Sequence, residues 1–231
     1  MKILAHRANW NGGNRNVENT TSSIRYCLER GWGIETDIRR APAGCYYISH
    51  DLCEMNNENC ADSFLGLFQQ FPDAVIALNI KELGYEADLI LYLSHHMVLP
   101  QVFLFDMELL EHSPGQTAEL FRQLSGDIKL AARVSDRGET IERALRVEVA
   151  EILWLDEFDS LWVTEKVIKQ LKSAGKKIYA ISPEIHGFSL NDMKDRWCDF
   201  YNWGVDGICT DYSERLDKEL ATNFSDKYLG Q

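Results

Sequence analysis

His6 and Arg7 stand side by side in the segment 5–24, AHRANWNGGNRNVENTTSSI, and another histidine follows at His50. Imidazole titrates near neutral pH, so two histidines on either side of a bound anion can serve as general base and general acid. Arg7 presents a planar fork of donors suited to phosphate, and Lys81 adds a second positive charge. In GIETDIRR, residues 33–40, Glu35 and Asp37 lie two apart in an extended run, which turns both carboxylates to one face and Thr36 to the other. Neighbouring carboxylates repel each other unless a cation lies between them, and a hard divalent ion, Mg²⁺ or Ca²⁺, suits oxygen donors of this kind. The anion that matches the whole set is a phosphodiester. The cation, Arg7 and Lys81 would neutralise its non-bridging oxygens, while one histidine activates the attacking hydroxyl or water and the other protonates the leaving alcohol. Taken singly, each feature has a plainer explanation: a solvated acid pair on a strand edge, rim salt bridges for Arg7 and Lys81, and ordinary polar histidines.

These residues need a frame that gathers them. Short β-rich runs alternate with helix-period runs along the chain, the pattern of a parallel sheet with helical crossovers. Strands are expected at 2–7, 33–40, 74–81, 102–107, 128–135, 151–159, 176–183 and 206–211. One intervening helix shows the grammar: Thr164 can cap it, Val167, Ile168 and Leu171 repeat at helical spacing, and Gly175 can end it. A second helix is expected from Asn191 towards Gly204, with Trp197, Phe200 and Tyr201 on its apolar face. AGCYYISHDL supplies one more extended piece, at Tyr46, Tyr47 and Ile48, before His50 and Asp51.

Eight strand–helix units in 231 residues predict a single TIM (β/α)8 barrel over residues 1–231, with reactive groups at the C-terminal strand ends. An open doubly wound sheet would show similar alternation, but no GxGxxG or Walker sequence follows a strand. Strand ends alone select His6, Arg7, Glu35, Asp37, Asn79, Lys81, Asp106, Arg133, Asp156, Ser182, Glu184, Thr210 and Asp211.

Composition narrows the partners. A net charge of -12 disfavours nucleic acid. No apolar run approaches the roughly 18 residues of a membrane span, and the start lacks the apolar region of a signal peptide, so the expected compartment is the cytoplasm. Six cysteines without a CxxC pair argue for free thiols and against a zinc ribbon; Cys53 and Cys60 could meet, but a reducing compartment disfavours a bridge. The expected partner is a small-molecule phosphodiester, and the oligomeric state is left open.

His6-Arg7, Glu18-Asn19-Thr20, Glu35-Thr36-Asp37, His50-Asp51 and the closing GVDGICTD resemble the glycerophosphodiester phosphodiesterase family in order and spacing. The resemblance implies a TIM barrel that uses a divalent metal and two histidines to split glycerophosphodiesters into an alcohol and glycerol phosphate. It also implies His6 and His50 as the acid–base pair, Glu35 and Asp37 as metal ligands, and Arg7 and Lys81 as phosphate contacts. Two positions depart from the family. Asn79 stands where a third, glutamate ligand is usual, which predicts weaker metal binding or help from Asp106 or Asp156. Ala8 replaces the glycine after His-Arg. The NWNGGNRN insertion, FLFDM, RVSDRGE, WLDEFDSLW and SPEIHG look more like a bacterial branch associated with surface-polysaccharide loci. On that likeness Arg133, Glu184 and His186 are further substrate-side candidates, with Glu184 and His186 placed to read a sugar hydroxyl or add a catalytic group. Trp10 is the aromatic most suited to stacking on a substrate. Two other readings stay open: a barrel that binds a phosphodiester or sugar phosphate without cleaving it, and an aldolase or isomerase using Lys81 as an amine.

Overall fold

In the computed structural model, which describes residues 1–222, strand β1 (Lys2–His6) pairs in parallel with β2 (Gly33–Arg40) on one side and β9 (Gly207–Thr210) on the other. Between them lie β4 (Ile76–Ile80), β5 (Val102–Phe105), β6 (Lys129–Val134), β7 (Ile152–Leu155) and β8 (Lys177–Ile181), each parallel to its neighbours. Contact of first strand with last closes the sheet, and a closed sheet has no edge to protect. The expected (β/α)8 barrel is therefore present, and the open doubly wound sheet is not. The extra extended piece is β3 (Tyr46–Ile48), which runs antiparallel to β2 as a hairpin outside the ring.

Helices α1 (Thr21–Leu28), α2 (Ala61–Phe68), α3 (Glu86–His95), α4 (Gln116–Leu124), α5 (Ile141–Leu145), α6 (Glu165–Ser173), α7 (Leu190–Trp203) and α8 (Ser213–Thr222) fill the connections. Their boundaries follow the sequence signals. The Thr164 hydroxyl accepts from the Val167 amide at the start of α6, Ile168 and Leu171 are buried, and Gly175 takes φ 75° just beyond its end. Ser189 and Asp192 cap α7 reciprocally, and Gly204 closes it at φ 81°. No helix among the described residues is long and apolar enough to cross a membrane.

Two apolar layers result. The outer one lies between barrel and helices; the inner one fills the barrel with Leu4, Phe103, Phe105, Trp154, Tyr179 and Ile181 among others. The inner rings pack at a tilt, Phe105 against Trp154 at 4.3 Å between centroids and Phe103 against Tyr179 at 5.3 Å. Gly33 makes room at the narrow end: a Cβ there would sit 2.3 Å from the Val75 carbonyl and 2.5 Å from a Leu4 methyl. The expected strand 151–159 stops at Leu155, because the Asp136 carboxylate turns the chain by accepting from the amides of Phe158, Asp159 and Ser160. All six cysteines are free thiols, Cys53 and Cys60 included.

Candidate active site

Strand alternation puts Glu35 and Asp37 of β2, Asn79 of β4 and the residues just past β1, β5 and β7 on the inner face of the barrel, one layer above Phe105 and Trp154. Together they surround a cavity of about 510 Å³. His6, Arg7, Glu35, Asp37, His50, Asn79, Lys81, Arg133 and His186 all line it, so nine of the side chains singled out from sequence reach one space.

His6 is fixed from behind. Its Nδ1 is hydrogen-bonded to Asp211 Oδ1 at 2.8 Å, while Nε2 lies 3.9 Å from Glu35 Oε2. Burial works against a charged ring, but the Asp211 hydrogen bond and the charges of Glu35 and Asp211 outweigh it and hold His6 above its usual pKa. Asn9 Nδ2 also donates to Asp211 Oδ1, at 3.0 Å, and Gly13 passes so close that a Cβ would meet Asp211 Oδ2 at 2.9 Å. The turn after β1 is left-handed at Arg7 (φ 48°) and Ala8 (φ 60°). Ala8 thus holds a conformation in which glycine would be unstrained, at a cost of about 1 kcal/mol. His50 lines the same cavity from just beyond β3, with Nδ1 2.9 Å from Asp51 Oδ1 and its carbonyl held by Arg39 Nη2 at 2.6 Å.

The acid pair is deeply buried, with Glu35 4% and Asp37 1% exposed. Burial first, and the Asp37 charge second, raise the Glu35 carboxyl above the usual range. Lys81 Nζ contacts Asp37 Oδ1 at 2.9 Å, and Arg7 Nε lies 3.6 Å from Asp37 Oδ2. Asp37 Oδ2 and Asn79 Oδ1 are buried without a hydrogen-bond partner. Asp37 and Asn79 are register partners on adjacent strands. Two carboxylates and an amide carbonyl are oxygen donors, and two orphaned buried oxygens are what a hard divalent cation would satisfy, so these residues fit such an ion. Among the described residues no group of three or more His, Cys, Asp or Glu side chains is arranged to hold a metal ion, and the third donor beside Glu35 and Asp37 is an uncharged amide.

Asp106 and Asp156 do not supply the missing charge. Arg133 takes both: its Nε and Nη2 reach Asp106 Oδ1 and Oδ2 at 2.7 Å each, and Nη1 pairs with Asp156. Asn79 Nδ2 donates to Asp106 Oδ2 at 2.8 Å, which turns its carbonyl oxygen away from that carboxylate. His186 completes the wall, with Nε2 2.6 Å from Asp156 Oδ1 and its ring 4.3 Å from that of Phe158. Three histidine–aspartate pairs therefore ring the cavity.

Two candidates lie elsewhere. Trp10 does not line this cavity; its ring stacks on Tyr26 at 4.5 Å, and Trp154 is the tryptophan at the cavity floor. Glu184 is behind the wall, where its Oε1 accepts from Thr210 Oγ1 at 2.5 Å and from the Asp211 amide at 3.1 Å, and so braces the partner of His6. In sequence Asp211 stands out only as a strand end. Barrel closure is the signal for its role, since it places the end of the last strand beside the end of the first.

No family model and no curated protein matches the sequence. Solved structures do match. A candidate glycerophosphodiester phosphodiesterase from Galdieria sulphuraria is similar with TM-score 0.73 at 19% identity, covering 96% of this chain and 98% of that one. A glycerophosphodiester phosphodiesterase from Parabacteroides distasonis ATCC 8503 gives 0.68 at 16% identity, over 96% and 98%. An Oleispira antarctica phosphodiesterase in complex with the product sn-glycerol-3-phosphate gives 0.68 at 16%, over 96% and 97%. Along nearly its whole described length, then, the chain has the barrel fold of the glycerophosphodiester phosphodiesterases.

Proposed function

We propose that this chain is a divalent-metal-dependent phosphoric diester hydrolase acting on a glycerol- or sugar-linked phosphodiester. The observation that carries the reading is the meeting of His6, His50, the Glu35–Asp37 pair and the Arg7–Lys81 cations on one cavity. A phosphodiester placed there would meet Arg7 and Lys81 through its non-bridging oxygens. Asp211 holds the Nδ1 edge of His6 and leaves Nε2 for substrate, and Asp51 orients His50 in the same way. One ring takes the proton of the attacking water or substrate hydroxyl, and the other gives a proton to the departing alcohol oxygen. Glu35, Asp37 and the Asn79 carbonyl would hold the cation, whose contribution is neutralisation of charge on the phosphoryl oxygens.

The test is turnover. With Mg²⁺ or Ca²⁺, purified protein is expected to release phosphomonoester from a panel of glycerophosphodiesters, and His6→Ala and His50→Ala are each expected to lose at least about 10²-fold in kcat. Wild-type rates in either variant would remove that histidine from the chemistry. Phosphorus NMR of the product separates attack by water from attack by a neighbouring hydroxyl, which leaves a cyclic phosphate.

Asn79 favours one second reading: a barrel that holds a phosphodiester or sugar phosphate without cleaving it, since the neutral ligand removes the single negative charge by which three carboxylates would exceed the Arg7 and Lys81 cations. Tight calorimetric binding of such a ligand with no turnover by any metal-loaded preparation would favour it.

A further inference from the structure

A second and larger cavity, of about 1210 Å³, opens beside the first and shares Arg15, Glu18 and His50 with it. Its walls are the start of α1, the loop that follows β3 and the exposed side of α2. Half of its lining residues are amides or uncharged hydroxyls. Among the described residues no Phe, Tyr or Trp lines it, and Ile48 and Leu67 are its only aliphatic side chains. Its four carboxylates outnumber its two arginines.

Each of these facts excludes a class of occupant. An acyl chain needs a continuous apolar wall, and two aliphatic residues do not make one. A quaternary ammonium is normally caged by aromatic faces, of which there are none here. A second phosphate or a polyanion would meet a net acidic surface. A lining half made of amides and hydroxyls fits a neutral, polyhydroxylated group best, since it offers many hydrogen-bond partners and few apolar contacts.

The wall is also organised in advance. Asn56 Oδ1 accepts from the amides of Glu58 and Asn59, Asn59 Oδ1 accepts from the Asn56 amide at 2.7 Å, and Ser49 Oγ donates to the Asp51 carbonyl at 2.7 Å. Arg25 on α1 reaches Gln70, just past the end of α2, at 3.4 Å. The Thr21 and Asn57 side chains line the space as well. A wall whose loop is already held by its own hydrogen bonds has less ordering to undergo when a polyol binds.

We infer that this groove is the seat of the alcohol half of the substrate, and that this alcohol is a sugar or polyol. The inference rests on the phosphodiester reading of the adjoining cavity. The test uses a position where a side chain can be added harmlessly. Gly66 lies within α2, lines the groove, and a Cβ there meets nothing within 4 Å. Gly66→Leu therefore fills the groove while improving helix propensity, and its melting temperature should not fall. Asn57→Ala removes one donor and acceptor from the opposite wall.

In saturation-transfer NMR, myo-inositol and maltose are expected to take up signal from the wild type, at least threefold less from Gly66→Leu, and choline chloride and a lauroyl lysophospholipid none from either. In turnover assays the ratio of kcat/KM for glycerophosphoinositol over glycerophosphocholine should drop at least fivefold in Gly66→Leu and by a smaller factor in Asn57→Ala, chiefly through KM. Stronger transfer to choline or lysophospholipid than to the polyols overturns the proposal, as does polyol transfer indifferent to Gly66→Leu. If the wild type turns over no diester, the phosphodiester reading fails while the NMR comparison still decides the groove.

Discussion

Asn79 is the residue on which the metal chemistry turns. Its amide nitrogen is spent on Asp106 and its carbonyl oxygen is left buried and unpartnered beside Asp37. That division of labour predicts that Asn79→Ala lowers divalent-cation affinity about tenfold, measured by calorimetric titration with Mg²⁺ and Ca²⁺, and costs roughly 2 kcal/mol in the metal-free protein because Asp106 loses a charge-assisted bond. Unchanged cation affinity in that variant would remove Asn79 from the ligand set. Most of the site was legible at this scale because side-chain direction in a strand is fixed by period: Glu35 and Asp37 had to share a face, and His6, Lys81 and Asn79 had to sit at strand ends. What the residues could not announce was their pairing. Asp211 is 205 positions from His6, and the Arg133 side chain gives no sign in sequence that Asp106 and Asp156 are both committed to it. Trp10 misled because a loop after a strand can fold outwards as readily as over the mouth.

At the level of elements, the eight barrel strands were legible because each is a short apolar run bounded by turn residues, and periodicity errs only at their ends. The hairpin strand β3 is different: its Tyr-Tyr-Ile reads as extended, but nothing local says that it pairs backwards with β2 and carries His50 to the rim. Arg133 is the tie between elements on the other side of the mouth. Standing on β6, it joins the carboxylates at the ends of β5 and β7, and its own amide donates to Glu108. It is 8% exposed, so both partners depend on it for compensation. Replacing it by leucine strands two buried carboxylates and should destabilise the fold by about 3–5 kcal/mol in urea unfolding, with Arg133→Lys losing less. A leucine variant within about 1 kcal/mol of wild type would show that water already solvates these acids.

Across the whole fold, among the described residues, buried carboxylates outnumber buried cations, and this sets how stability depends on pH. Burial raises the carboxyls of Glu35, Asp106, Glu108 and Glu184, and His6 is raised as well. For Glu108 the value is pushed from 4.5 to about 7, with burial the first cause and the neighbouring Asp106 the second. A group raised on folding binds its proton more tightly in the folded state than in the unfolded one. Its contribution is complete below the unfolded value and is lost as pH climbs through the folded value, so for Glu108 the loss falls between 4.5 and about 7. Exposed acids such as Asp51 and Asp159, which are lowered mainly by hydrogen bonds from His50 and Arg137, lose their contribution only below the usual carboxylate range, outside this window. Deprotonation also deepens a net charge that is already -12 near neutrality, which adds self-repulsion of the same sign. With divalent cations chelated, the melting temperature should therefore fall between about pH 5 and about pH 8. Glu108→Gln keeps an acceptor for the Arg133 amide but cannot ionise, so it should recover on the order of 2 kcal/mol of that loss, several degrees in a chain of this size. Parallel slopes for variant and wild type across the window would mean that Glu108 ionises in the folded state as easily as in water, and that the decline comes from the surface charge alone.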